Sequence, residues 1–411
     1  MTYEKRKDYF IFFCGLVGTF SLRVLGTFYI IEIIAFLSYI FIPWTRFSES
    51  PRMSNLLRMA FLWLLGAMIA DGWNHTPTIA MLKGWFSIIF FIGLMPFVYW
   101  ALRDKPSRWI WYVVGNGISS LLSFYFVRGN MLEGDVYETW QLYAWGPFVI
   151  GIAALLYYKG KHNLAMITYL GWAVYALFGG SRNIFLNVSL AVCIIYMVER
   201  FRSASLDTQI YRFRSSIARV FLALFIGALV VDYVYENLAS SGKLGERAYE
   251  KYIKQKYEAG SLLKGGRAEF FMGIDCIKEN PIIGYGSFAV YSPDLFSSET
   301  LNRALIEYYD GVNVDYLPAH SHIVGYWVYH GILGGIFWIY ILLLMWRLFR
   351  TGAFMYEPKL IGHCVYYSVT ILWAIIFSPF GQRAPMAFYI IYLIIIEDRF
   401  LSNNNSVIEH S

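Results

Sequence analysis

About twelve apolar stretches, each close to the length a helix needs to cross a bilayer, alternate with polar segments along this chain. They run roughly 9–22, 26–44, 56–71, 80–102, 108–127, 141–158, 164–179, 183–200, 217–236, 323–347, 361–378 and 385–398. A spanning helix takes about 20 mostly apolar residues. At 58% hydrophobic and 15% charged, the chain lies far from a soluble domain, which is about 45–50% apolar and about 25% charged. The expectation is an all-α integral membrane protein of about 12 transmembrane helices. The opening MTYEKRKDYFIFF has no small-residue cleavage site after it, so it reads as an uncleaved first span.

Loop charge gives the orientation. With the N-terminus cytoplasmic, seven segments fall inside. They carry 19 Lys and Arg, among them Lys5, Arg6, Lys7, Arg52, Arg103, Lys105, Arg108, Arg347 and Arg399. The short outer loops carry only Arg23, Arg128, Arg182 and Arg383, with Lys83 just inside the outer end of the fourth span. This excess follows the positive-inside rule and puts both termini in the cytoplasm. The four outer arginines break the rule, so each is a candidate for function.

Three parts result: 1–236 with nine spans, 237–321 as one long periplasmic loop, and 322–411 with three spans and a cytoplasmic tail. Within the loop, Gly245–Leu263 has Tyr249, Tyr252, Ile253 and Tyr257 among lysines, the pattern of an interfacial amphipathic helix. Ala268–Glu279 places Phe270, Phe271, Ile274 and Ile277 at helical spacing, and Pro281 stops the helix. Gly284, Gly286 and Ser287 form a turn. Residues 288–317 read as irregular. The four cysteines, Cys14, Cys193, Cys276 and Cys364, lack disulfide or zinc spacing, so neither a disulfide nor a metal-thiolate site is expected.

Arginine at depth in a membrane is expensive and usually pairs with a carboxylate or binds an anion. Guanidinium forks match phosphate oxygens. Arg182 opens a span after Gly179-Gly180-Ser181, and Arg267 opens the loop helix after Gly265-Gly266, where a helix N-terminus adds amide donors. Arg383 and Arg128 lie in short outer loops. His320, with Ser321 and His322 beside it, sits where the loop meets an apolar run. Its imidazole titrates in the range a general base needs. His330 reads as packing. His320 and His322, at i and i+2, do not share a helical face, so no metal site is expected. No Asp-x-Asp pair occurs outside, which argues against a donor held through a divalent ion.

His320-Ser321, nine residues, Gly331, two residues and Gly334 resemble the signature of the O-antigen ligase and Wzy-type polymerase superfamily. Three further elements follow the family order. Ser181-Arg182 with Leu186 resembles its Arg-x-x-x-Leu. Gly266-Arg267 resembles its loop arginine before a helix. Asn280-Pro281-Ile282-Ile283-Gly284-Tyr285-Gly286 resembles its Asn-Pro-hydrophobic-Gly-x-Gly turn. The resemblance spans about 165–400.

It implies a metal-independent, cofactor-free glycosyltransferase of the GT-C type in a Gram-negative inner membrane, active at the periplasmic face. The donor would be an oligosaccharide on undecaprenyl pyrophosphate. The acceptor would be another lipid-linked repeat unit or lipid A–core. A chain-length regulator is a further partner the family allows; nucleic acid is not expected. His320 inherits the catalytic role and Arg182 and Arg267 the donor-pyrophosphate role, with Arg383 a looser counterpart. Ser321, His322 and Arg128 stand as supporting residues. The Pro-Ala-His-Ser-His form, the Gly-Arg-Ala-Glu run at 266–269 and Ser378-Pro-Phe-Gly lean toward a polymerase, with a ligase as the alternative. A lipid-linked sugar transporter is the remote reading, since no two related halves are seen.

Overall fold

The computed structural model describes residues 2–23, 27–41, 50–128, 134–179, 181–201, 208–213, 233–234, 236–243, 246, 249, 252, 268–292, 295–299, 301, 305, 316–317, 321–377 and 383–408. Its main helices are α1 (Tyr3–Leu16), α2 (Ile30–Ser38), α3 (Pro51–Trp73), α4 (Thr78–Leu102), α5 (Arg108–Ser123), α6 (Gly134–Tyr158), α7 (His162–Phe178), α8 (Arg182–Arg200), α9 (Ala268–Glu279), α10 (His322–Thr351), α11 (Ile361–Phe377) and α12 (Arg383–Ile408). A two-stranded antiparallel ribbon, β1 (Ser21–Arg23) with β2 (Thr27–Tyr29), separates α1 from α2. Among the described residues six helices, α3, α4, α6, α8, α10 and α11, are long and apolar enough to cross a membrane. The protein is a multi-pass membrane protein. The expected span 217–236 lies outside the described residues but for 233, 234 and 236. The expected amphipathic helix at 245–263 lies outside them but for 246, 249 and 252.

One expected span changes character. In place of the single span expected at 26–44, Thr27–Tyr29 is strand and α2 has 9 residues. At about 1.5 Å per residue that helix rises only about 14 Å, too little to cross. The reason is Glu32, a carboxylate within an apolar run. It accepts from the Tyr29 backbone N–H at 2.9 Å and fixes the helix start there.

Short connectors make successive helices antiparallel, so the bundle has two distinct ends. One end gathers ion pairs. Arg108, fully buried, pairs with Glu4 and with Asp8 at 3.0 Å. Lys7 reaches Asp104 at 3.3 Å, Arg399 reaches Glu357 at 3.0 Å, and Arg52 and Arg347 meet Asp398 and Glu397. A buried guanidinium without such partners would cost several kcal/mol, on the order of 3–5. The opposite end holds the start of α8, the end of α11 and the start of α12.

The long helix α10 is two arms. Gly331 has φ 65° and ψ −160°, and the chain reverses there. In a straight helix His322 and Trp338 would stand about 24 Å apart. Instead their rings lie 4.4 Å apart, and Tyr326 stacks on Trp338 at 5.7 Å. The expected single span at 323–347 is therefore a helical hairpin. The arm at 332–351 is long enough to cross the membrane at about 1.5 Å per residue, and the arm at 322–330 reaches about half that depth. Two glycines allow the reversal. A Cβ at Gly331 would overlap the Ile282 carbonyl oxygen in a left-handed conformation that L side chains avoid. A Cβ at Gly334 would overlap the Tyr326 carbonyl oxygen where the arms press together.

A reversal frees backbone groups that a continuous helix would pair. The turn after α9 takes them up. Tyr285 N–H donates to the Val328 carbonyl at 2.8 Å, Gly286 N–H to the Tyr329 carbonyl at 2.9 Å, and Ile332 N–H to the Ile282 carbonyl at 3.1 Å. Trp327 Nε1–H adds a bond to the Pro281 carbonyl at 2.7 Å. α9 itself packs a second small core with the first arm, centred on Met272, Cys276, Tyr285, Val324 and Val328. Phe271, expected on the apolar face, is exposed instead. Burial pushes the Cys276 thiol up to about 12, so it stays a packed, unreactive hydrophobe.

Two outcomes follow from this packing. Gly331→Ala should destabilise the protein by about 1–3 kcal/mol from backbone strain alone, with more lost as the turn is displaced, read as a lowered melting point in detergent. A maleimide at neutral pH should leave Cys276 unmodified in the folded protein and label it after denaturation; native-state labelling would contradict the buried position.

Candidate functional site

The candidate site is built around the base of the hairpin's first arm. Ser321 caps that arm, its Oγ accepting from Val324 N–H at 3.1 Å while donating to the Ile375 carbonyl at 2.8 Å. Such a cap and such a bond are each worth about 1 kcal/mol. His320 lies outside the described residues, but the chain on both sides of it is held. Leu317 N–H donates to the Ala289 carbonyl at 2.9 Å, and the Leu317 carbonyl accepts from Tyr329 Oη at 3.0 Å. Val290 and Tyr316 form an isolated β-bridge beside them.

Arg267 also lies outside the described residues. The helix it precedes, α9, begins next to the same place: Phe270 meets Phe377 at the end of α11, ring centroids 5.4 Å apart. Arg182 is the first residue of α8, and Ile184 two residues on lines a cavity of about 430 Å³ together with Ile371 and Ala374 of α11. Ser123 and Phe124 line that cavity too, and Arg128 ends the short π-helical turn that starts at Phe124. The first turns of α8, α9 and α10 thus gather around the last turns of α11. Helix N-termini carry unpaired N–H groups and about half a positive charge each, so the gathering favours an anion.

Arg383, the first residue of α12, has a carboxylate partner. Its Nε donates to Glu32 at 2.6 Å and its Nη2 to the other Glu32 oxygen at 2.9 Å, a bidentate pair with Glu32 fully buried. Nη2 also donates to the Thr27 carbonyl at 2.7 Å and Nη1 to Ser87 Oγ at 3.0 Å. Four of the five guanidinium N–H groups are thereby taken. A charge already matched attracts phosphate weakly, which alters the part expected of Arg383.

His322, first residue of the arm, is buried, stacked on Trp338 and lining a second cavity of about 240 Å³. That cavity also meets Arg383, and Met386 lines both cavities. Behind it runs a buried polar chain that sequence reasoning did not assemble. The Trp63 indole can only donate, so its 2.9 Å bond makes His330 Nδ1 the acceptor. His330 Nε2–H then donates to Ser287 Oγ at 3.1 Å, and Ser287 Oγ–H to Asp71 Oδ2 at 2.8 Å. Asp71 takes two more donors, Ser287 N–H at 2.6 Å and Trp85 Nε1–H at 2.8 Å. This chain ties α3 and α4 to the turn and to the hairpin's apex. A carboxylate in an apolar run, at Glu32 and at Asp71, was the available signal; Trp63 offered none. Among the described residues no cluster of three or more metal-ligating side chains occurs.

Glu32→Ala should cost about 3 kcal/mol or more, because it leaves a largely buried guanidinium unmatched. Glu32→Ala with Arg383→Met should cost less than Glu32→Ala alone in the same unfolding measurement. A double variant no more stable than the single one would show that the pair is not what holds the two residues.

Residues 164–339 match the family model described as O-antigen ligase. No curated protein matches the chain. The matched stretch starts in α7 and ends just past the hairpin's reversal, so it contains Arg182, Arg267, the turn at 280–287, His320 and both signature glycines. The match covers less than half of the chain and agrees with the superfamily whose signature the sequence resembles.

Proposed function

We propose that this chain is a membrane glycosyltransferase that polymerises surface glycan. It moves an oligosaccharide from undecaprenyl pyrophosphate onto the non-reducing sugar of a second lipid-linked repeat unit, at the periplasmic face of a Gram-negative inner membrane. The observation that carries this reading is the gathering of three helix starts at the end of α11. Each of the three bears a family motif residue or starts within two residues of one: Arg182, Arg267 and His320.

The chemistry matches those residue types. His320 takes the proton from the acceptor hydroxyl as its oxygen attacks the anomeric carbon. The bond from that carbon to the pyrophosphate oxygen breaks, and its electron pair leaves with the lipid pyrophosphate. Arg182 and Arg267, with the helix N-termini, neutralise the charge that grows there. A diphosphate so stabilised needs no general acid. In-line attack inverts the anomeric centre, and no metal is required. Arg383, matched by Glu32, serves better as a wall of the site than as a phosphate ligand, and Ser321 fixes the arm that follows the base. Arg128, near the 430 Å³ cavity by position, is the remaining candidate for donor contact.

The family model's description favours the second reading, a ligase that delivers the glycan to lipid A–core. The two share every step but the acceptor. Purified protein given lipid-linked repeat unit should build a ladder of lengthened glycan, and adding lipid A–core should not divert it; transfer to lipid A–core alone would make it a ligase. His320→Ala should lower the rate by about 10²–10⁴-fold, the usual contribution of a placed base, with melting unchanged. Wild-type turnover by that variant would overturn the assignment.

A further inference from the structure

We infer that the 240 Å³ cavity beside the hairpin binds one neutral sugar ring, the terminal ring of the acceptor glycan. This rests on the glycan-transfer reading and goes on to name what fills the second cavity.

Three observations carry it. The first is size and place. Ligand pockets for drug-sized molecules run about 300–1,000 Å³, so this cavity suits one small ring and no more. His322, two residues after His320, forms part of its wall, and Met386 lies between it and the larger cavity next to α8. A ring seated here and a lipid diphosphate seated there would lie on either side of Met386.

The second is charge. Arg383 is the cationic group in the wall among the described residues, and Glu32 matches it through two hydrogen bonds. Asp71 stands behind Ser287 and adds a negative charge. The wall therefore offers no excess positive charge, and a pyrophosphate gains nothing by entering. An uncharged, hydroxyl-bearing ring pays no such penalty.

The third is the character of the lining. Tyr29 and Phe288 present aromatic surface, to which the apolar C–H faces of a pyranose pack, while Phe91 and Trp338 close the wall behind them. Ser87, which also bonds Arg383 and Tyr326, and the fifth N–H of Arg383 are polar groups at the edge. The polar chain from Trp63 through His330 and Ser287 to Asp71 holds its own bonds in one direction behind that wall. Apolar faces with a few fixed polar groups at the rim suit a sugar better than a lipid tail, which needs no donors.

The test uses purified protein in nanodiscs. Saturation-transfer NMR with methyl glycosides of glucose, galactose, rhamnose and N-acetylglucosamine should detect binding of at least one. Ser87→Phe, which fills the cavity, should abolish that signal while inorganic pyrophosphate still binds as in the wild type. In turnover, the same variant should raise the acceptor KM tenfold or more and leave the donor KM within twofold. An unchanged glycoside signal, a loss of pyrophosphate binding instead, or a shift confined to the donor KM would overturn the inference. Should Ser87→Phe not fold, Phe288→Cys gives the same answer at the mouth of the cavity. The bound glycoside should slow its maleimide labelling at least threefold, and no protection would refute the site. Glycoside binding without any transfer would sink the proposed function alone; transfer without glycoside binding would sink this inference alone.

Discussion

Three backbone hydrogen bonds hold the end of the molecule that carries the candidate site together: Tyr285 to Val328, Gly286 to Tyr329, and Ile332 to Ile282. A helix that reverses inside a membrane protein leaves carbonyl and amide groups that hydrocarbon cannot satisfy. The turn at 280–287 supplies the missing partners, and so the reversal at Gly331 becomes affordable. Each bond is worth only about 0.5–1.5 kcal/mol net, but leaving its groups unpaired would cost more. The turn and the hairpin are therefore one unit, although they are separate motifs in the sequence.

From this unit the rest of the site follows. The reversal brings the first arm back beside Trp338 and carries its start to the end of α11, where Ser321 binds the Ile375 carbonyl. α9 runs alongside that arm and starts at the same level, against Phe377. The polar chain through Asp71, Ser287 and His330 anchors the apex to α3 and α4. Rigid elements, not free loop, thus support the chain on either side of His320.

Much of this was legible in the sequence because apolar length and motif order are local signals. Ala268–Glu279 is helical as its periodicity and Pro281 require, and the basic residues assigned to one side do meet carboxylates at one end of the bundle. The hairpin was not legible. Hydropathy reads 323–347 as one span because both arms are apolar, and a glycine inside an apolar run does not announce a reversal. Only the contact between Gly331 and Ile282, about fifty residues apart in the chain, reveals what the glycine is for. The pairing of Arg383 with Glu32 was hidden for the same reason: 351 residues separate them. The other part of Glu32, fixing the start of the short helix Ile30–Ser38 within the expected span at 26–44, left as its signal an acid in that helix's first turn.

The candidate site depends on the reversal, and one distance tests it. Nitroxide labels in place of Ile323 and Ile339 should lie about 10 Å apart, the spacing of two packed helices, and show strong dipolar broadening in the folded protein. A continuous helix would hold them about 24 Å apart, and a spectrum without broadening would contradict the hairpin and everything built upon it.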